Sequence, residues 1–299
     1  MRWLELSSRV DGEAVEAVSE VFSRVAPGGV AVEPDLQPGA DDGFSLGSLA
    51  TVRAYVPLDD QAQQKQQLVQ EALWHLNAIW PVGALDVHEV AEEDWATSWK
   101  QHYSTFRVGQ RIVVRPSWLD YAPLLDDVVV SLDPGAAFGT GLHPTTRRCL
   151  EVLEAIVRPG DEVLDVGTGS GILSLASVGL GARRALATDV DPIAVSAARA
   201  NVSLSVADGR VAVALGSVDA VPSGHTFDIV VANIIARVIL ELAEPLVERV
   251  RPDGYLVVGG IIADRAEEVV EELRRRGLVV ERFVDGDWVT LLGRRPRTT

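Results

Sequence analysis

Asp165-Val166-Gly167-Thr168-Gly169-Ser170-Gly171 is the stretch whose reading decides the fold. It is preceded by the short apolar run Glu162–Val166, which reads as a strand, and followed by Ile172–Leu180, which reads as a helix. Glycines at 167, 169 and 171 let the backbone turn sharply between the two, and they leave no side chain between chain and ligand. At the carboxyl edge of a parallel sheet, such a turn is a flat bed for the amino-acid and ribose portions of a cofactor. The spacing is G-x-G-x-G, which differs from the G-x-G-x-x-G of dinucleotide binders.

Outward from this turn, strand and helix patterns alternate, the mark of a parallel sheet covered on both faces. Strands are predicted at 162–166, 185–190, 211–215, 228–233 and 255–260, with helices at 172–180, 192–206, 238–250 and 264–275. Pro192 suits a first helical turn, and Asp191 before it reads as the N-cap. Two further strand candidates, 278–283 and 288–292, flank Asp285-Gly286-Asp287, so a hairpin closes the sheet with an antiparallel strand. Five parallel strands finished by a hairpin are the layout of the class I methyltransferase fold, a doubly wound Rossmann-like α/β sheet. A nicotinamide dehydrogenase usually closes with a sixth parallel strand.

The first ninety residues read as a smaller α+β unit. A strand is predicted from Arg2 to Ser7, then a helix over 11–25 with Val15, Val18, Phe22 and Val25 on one face and Asp11 as N-cap. Strands at 29–33, 49–56 and 84–90 and a glutamine-rich helix over 59–79 complete the order β-α-β-β-α-β, that of a ferredoxin-like module. The Gly/Pro/Asp-rich stretch from Pro34 to Gly47 reads as a mobile loop. The expected division is 1–90, a connector over 91–118 that includes a strand pair around 106–115, and a cofactor-binding domain over 119–299. In the connector, Trp95 and Trp99 share a helix face at four-residue spacing; they either pack it against a domain or wall a cleft.

Composition narrows the function. The 299 residues are 47% hydrophobic, with a formal net charge of −16. Residues 1–90 hold five basic against 14 acidic residues, so this third carries −9 of the total. Backbone phosphates need cations, which argues against direct nucleic-acid binding and for a basic partner, although acidity also serves solubility. The apolar runs are shorter than the ~20 residues of a membrane span, and charges interrupt the N-terminal residues, so no membrane or signal segment is expected. The single Cys149 excludes an intramolecular disulfide, and no Cys/His cluster has metal spacing. A cytoplasmic monomer is the expectation.

Outside the glycine turn, Asp189 ends the second strand, 22 residues past Gly167. A carboxylate there can accept from both ribose hydroxyls of a nucleoside cofactor, without saying which cofactor. Asn233 ends the fourth strand; its amide can hold the amino-acid moiety of a cofactor or an incoming amine, or simply form a turn. Upstream, the glycine-rich stretch Asp133–Thr146 leads into a helix near Thr145. Phe138 in it can cover an adenosyl group, and Thr146 can bond a carboxylate end. His143 reads either as a general base or as a loop brace.

These residues resemble one family, the ribosomal protein L-eleven methyltransferases. The resemblance runs, in the family's order, through EEDWATSWKQHY, VVRPSW, LDPGAAFGTGLHPTT, VLDVGTGSGIL, TDVDP and VVANI, and covers residues 90–295. It implies that Thr146, Gly167, Asp189 and Asn233 contact S-adenosylmethionine, with Phe138 alongside, and Gly169 belongs to the same bed. It further implies methylation of lysine ε-amines and of the N-terminal α-amine of a basic ribosomal protein, and places substrate recognition in the N-terminal module. A lysine with pKa near ~10.4 must first lose its proton, which desolvation and a nearby sulfonium both favour, so no dedicated base is required and none is named by the sequence. The alternatives are a related methyltransferase acting on another protein or a small amine, a nicotinamide-dependent oxidoreductase, and a non-catalytic ribosome-assembly factor.

Overall fold

The computed structural model describes residues 2–11, 14–26, 30–38, 44–77, 81–91, 104–133, 141–205 and 209–297. Contacts divide the chain into two compact units, Met1–Tyr103 and Ser104–Thr299. Trp95, Trp99 and Phe138 lie outside the described residues.

The first unit runs β1 (Arg2–Asp11), α1 (Val15–Ser23), β2 (Val30–Pro38), β3 (Phe44–Pro57), α2 (Ala62–Leu76) and β4 (Asp86–Ala91). The sheet order is β2-β3-β1-β4 with every neighbouring pair antiparallel, the arrangement of the expected ferredoxin-like module. In β1, Leu4, Leu6 and Val10 alternate inward and meet Val52, Ala54 and Val56 of β3. Val18 and Phe22 of α1 and Val69 and Leu73 of α2 close this core from the helical side. Facing the other way in β1, Glu5 forms an ion pair with Arg53 and accepts from the Tyr55 hydroxyl at 3.0 Å.

Two expectations fail in this unit. Asp11 is not a helix N-cap: it is the last residue of β1, paired with Leu49, and α1 begins at Val15. The buried Val10 beside it belongs to the strand's alternation, which outlasts the polar residues before it. The stretch from Pro34 is not wholly a loop either. Leu36–Pro38 pair with Phe44–Leu46, and a register shift between Pro34 and Leu36 accommodates a residue that has no N–H to donate. β2 is an edge strand, where a proline can be tolerated.

The second unit opens with β5 (Phe106–Val108), β6 (Ile112–Pro116) and β7 (Val128–Leu132), a three-stranded sheet in which β6 and β7 are parallel. The later part of the stretch read as a connector therefore hydrogen-bonds within this unit. Next come α3 (Pro144–Ile156), β8 (Glu162–Val166), α4 (Ile172–Leu180), β9 (Arg184–Asp189), α5 (Pro192–Ser203), β10 (Val211–Leu215) and β11 (Phe227–Asn233). Two short helices, α6 (Ala236–Glu241) and α7 (Ala243–Arg249), then β12 (Val250–Ile262), α8 (Ala263–Arg275), β13 (Val279–Asp285) and β14 (Trp288–Arg294) finish the chain. A single helix was expected across 238–250; Pro245 cannot donate to the Glu241 carbonyl, and the helix breaks at Leu242.

The main sheet has the order β10-β9-β8-β11-β12-β14-β13. Strands β8 to β12 are parallel, whereas β14 is antiparallel to both β12 and β13. The hairpin thus folds back so that its second strand pairs with the sheet and its first becomes the edge. Alternation along the strands sorts the core into two layers. Val163, Ala185, Ala187, Ile229 and Val231 face the layer of Leu150, Leu153, Leu173 and Ala176, from α3 and α4. Leu164, Val166, Val230 and Ala232 face the opposite layer of Ile239, Leu246, Val269 and Leu273. Since side chains in a strand alternate, Asp165, Asp189 and Asn233 all belong to the face of α3 and α4.

Candidate active site

Three strand ends converge at the carboxyl edge of the parallel sheet. After β8, Gly167 adopts φ +73°, a left-handed conformation that L side chains rarely take. A Cβ at Gly167 would also stand 2.4 Å from Ile234 Cγ2. The turn is held from β9, since Gly167 N and Thr168 N both donate to the Thr188 carbonyl, at 2.8 and 3.0 Å.

Asp165 lies beneath this turn with no exposed surface. Its Oδ2 accepts from Thr168 Oγ1 (2.7 Å), Ser174 Oγ (2.8 Å) and Ser174 N (3.2 Å). Its Oδ1 is buried and has no partner among the described residues. Burial pushes the Asp165 carboxyl up to about 6, against the pull of the three hydrogen bonds and with a further push from the Asp189 charge. The only sign of this residue in the sequence is an acid within the apolar run Val163-Leu164-Asp165-Val166.

Asp189 ends β9 with its carboxylate aimed by two main-chain amides. Gly169 N donates to Oδ2 at 2.9 Å and Asp191 N to Oδ1 at 3.0 Å. Each oxygen keeps further acceptor capacity. Asp191 caps α5 by accepting from Ile193 N at 2.8 Å, as expected. Beside Asp189, Val190 is 72% exposed, and Ile193 and Leu215 are also exposed, so apolar surface borders the carboxylate.

Asn233 ends β11, and its Nδ2 donates to Thr146 Oγ1 at 3.1 Å, which joins two residues 87 apart in sequence. Asn233 Oδ1 is buried without a partner among the described residues. Gly259, its neighbour in the β11–β12 register, makes the room: a Cβ there would lie 2.7 Å from both Asn233 Oδ1 and Cys149 Sγ. Burial drives the Cys149 thiol up to about 12, so it is an inert filler. His143 is the N-cap of α3: its Nδ1 accepts from Thr145 N at 3.3 Å, which leaves the ring proton on Nε2. Its ring also meets Trp288 edge-on, with centroids 4.8 Å apart. Burial lowers its pKa to about 4, and the brace rather than the base describes this arrangement.

Gly167 and Gly169 are thus carried by the turn after β8, Asp189 and Asn233 by the ends of β9 and β11, and Thr146 by the first turn of α3. Two buried acceptor oxygens, on Asp165 and Asn233, are left unbonded on one face of the sheet, and a cationic amine is the group whose chemistry meets them. The apolar rim at Val190 suits a base, and Asp189 suits the hydroxyls of a sugar. The residues therefore fit S-adenosylmethionine. Among the described residues no group of three or more potential metal ligands exists, and no helix is long and apolar enough to cross a membrane.

The sheet order with its antiparallel β14 and this glycine turn together define a class I methyltransferase. The family model for "Ribosomal protein L11 methyltransferase (PrmA)" matches residues 2–296, and the chain belongs to that family. A ribosomal protein L11 methyltransferase of Chloroflexus aurantiacus is 45% identical, over 99% of this chain and 98% of its own. Another, of Herpetosiphon aurantiacus, is 43% identical over 99% of this chain and 100% of its own. Among solved structures, a ribosomal protein L11 methylase of Lactobacillus delbrueckii subsp. bulgaricus superposes with a TM-score of 0.60 at 31% identity. It spans 65% of this chain and 100% of that one. The oxidoreductase and non-catalytic alternatives fall with this assignment.

Proposed function

We propose that the protein transfers methyl groups from S-adenosylmethionine to ribosomal protein L11, on lysine ε-amines and on the N-terminal α-amine. The observation that carries the reading is the pair of orphaned buried oxygens, Asp165 Oδ1 and Asn233 Oδ1, on the sheet face beside the glycine turn. Leaving a buried acceptor unpaired costs ~1–3 kcal/mol, so a site that does so in the free protein is built for a donor that arrives later. The α-ammonium of the cofactor is that donor. Asp189 takes the ribose hydroxyls, Gly167 and Gly169 supply the main-chain bed, Thr146 orients the Asn233 amide, and Phe138 lies against the adenosyl group.

When bound, S-adenosylmethionine supplies a sulfonium methyl whose reactivity is its own. The chain's residues hold the donor in place and exclude water, and proximity of this kind can supply ~7–11 kcal/mol. The attacking amine must be neutral. Desolvation disfavours its cationic form, and His143, already neutral and engaged at Nδ1, is not needed as a proton acceptor. The first unit, with its acidic excess, is proposed to capture the basic substrate, while the second holds the cofactor.

Incubation of the enzyme and S-adenosylmethionine with purified ribosomal proteins, read by mass spectrometry, tests this. Whole-methyl increments are expected on L11 lysines and its α-amine, with a KM for L11 that rises with salt while cofactor affinity stays constant. Unmodified L11 beside methylation of another protein or a small amine would shift the assignment to the related-methyltransferase alternative.

A further inference from the structure

We propose that Asn201, on α5, is a positioning residue that locks the glycine turn to the segment leaving β7. The inference rests on the reading of the glycine turn as the cofactor bed. Asn201 is 1% exposed, and its side-chain amide spends both ends on main-chain groups far apart in the sequence. Nδ2 donates to the Ser170 carbonyl at 2.9 Å, inside the glycine turn. Oδ1 accepts from Asp133 N at 2.7 Å, where the chain leaves β7 and enters the glycine-rich stretch that contains Phe138. Neither Ser170 nor Asp133 lies in a helix or strand.

Ala198, one turn earlier on the same face of α5, reinforces the lock. A Cβ on Gly171 would come 3.4 Å from the Ala198 Cβ, so helix and turn are in close packing there. One face of α5 is therefore a template for two main-chain points, Ser170 in the turn after β8 and Asp133 where the chain leaves β7. Buried main-chain groups need partners, and the amide of asparagine offers a donor and an acceptor in a fixed plane. Aspartate at this position would offer acceptors only, alanine neither, and glutamine an extra methylene where Asn201 already has no exposed volume. Asn201 touches neither cofactor nor substrate; it acts through the Ser170 carbonyl and the Asp133 amide.

Titration calorimetry with S-adenosylhomocysteine tests the lock on Asn201→Ala, Asn201→Asp, Asp189→Ala and the unmodified protein, with melting temperatures recorded alongside. At pH 8, Asn201→Asp and Asn201→Ala are expected to weaken binding tenfold or more. For Asn201→Asp the loss, taken relative to the unmodified protein at each pH so that titration of Asp165 cancels, should shrink as the pH falls toward 5. A protonated carboxyl regains an O–H for the Ser170 carbonyl, a signature that a residue needed only for packing does not produce. If Asn201→Asp does not fold at pH 8, Asn201→Ala carries the affinity comparison, because water can enter the space it leaves. Asn201 variants that bind within twofold of the unmodified protein, while Asp189→Ala loses binding, overturn the lock alone. An affinity ratio for Asn201→Asp that is flat in pH also overturns it. Failure of the unmodified protein to take up the ligand overturns the cofactor reading, and the lock with it.

Discussion

Replacing Asp165 with asparagine preserves the shape of the side chain and removes its charge. The carboxyl is fully buried, and its pKa stands at about 6 against the ordinary 3.8. Between those values the native state holds a proton that the unfolded chain has released. Stability therefore falls as the pH rises through this window, and above it the folded protein carries an ionised, incompletely paired carboxylate. A shift of about two pH units at ~1.4 kcal/mol each amounts to about 3 kcal/mol. Asparagine with its carbonyl oxygen in the place of Oδ2 can accept from Thr168 Oγ1, Ser174 Oγ and Ser174 N, so it keeps the three present partners without the cost of a buried charge. Asp165→Asn should then stabilise the ligand-free protein by up to about 3 kcal/mol at pH 8 and by almost nothing at pH 4. In a unit of this size, ~2–4 °C per kcal/mol converts the gain to roughly 6–12 °C in Tm at most. The same change should weaken S-adenosylhomocysteine binding, because the charge that destabilises the empty site is the one proposed to meet the ammonium. Thermal unfolding at several pH values, with and without ligand, measures both effects. His143 titrates in the same window with the opposite sign, so the difference between the two proteins, in which it cancels, is the quantity to read. A variant that melts below the parent at pH 8, or that keeps the parent's full ligand-induced shift, would refute the reasoning.

Gly167→Ala should cost about 2–5 kcal/mol in urea unfolding, from ~1–2 for a left-handed residue with a Cβ and ~1–3 for crowding Ile234; a change under ~0.5 would mean that the turn relaxes freely. His143→Asn keeps a capping side chain but cannot titrate. The depressed pKa of His143 means that stability is complete above its unfolded value near 6.5 and is lost as the pH falls toward about 4. The variant should thus exceed the parent by about 2 kcal/mol at pH 5 and match it at pH 7.5, and parallel stability profiles would contradict this. Asp189→Ala should lower S-adenosylhomocysteine affinity by about tenfold or more, ~1.4 kcal/mol, while stability changes by under ~1 kcal/mol, since the freed amides of Gly169 and Asp191 lie at a partly exposed rim that water reaches. Unaltered affinity in calorimetry would remove Asp189 from the site.

Much of the second unit was legible in the residues because its signals are local. The apolar runs that became β8, β10 and β11 declared themselves, and the Asp191-Pro192 start of α5 carries its capping chemistry within two residues. Gly167 and Gly169 likewise announced a turn that needs left-handed backbone. Local signals also misled: Asp11 looks like a cap until β1 is seen to extend through it, and the Gly/Pro/Asp-rich stretch from Pro34 looks like a loop until Leu36–Pro38 of β2 are seen to pair with β3.

What the sequence determined by itself was the class of fold, the glycine bed and the family, since periodicity, turn chemistry and motif order are properties of neighbouring residues. Only the tertiary structure decided which polar atoms are satisfied and which wait. The Asp165 and Asn233 oxygens are orphaned because packing seals them from water, and Thr146 reaches Asn233 because α3 crosses the end of β11. Asn201 acquires its role from two partners 31 and 68 residues away. Contacts of that range arise from how the layers close on one another, and no window of adjacent residues encodes them.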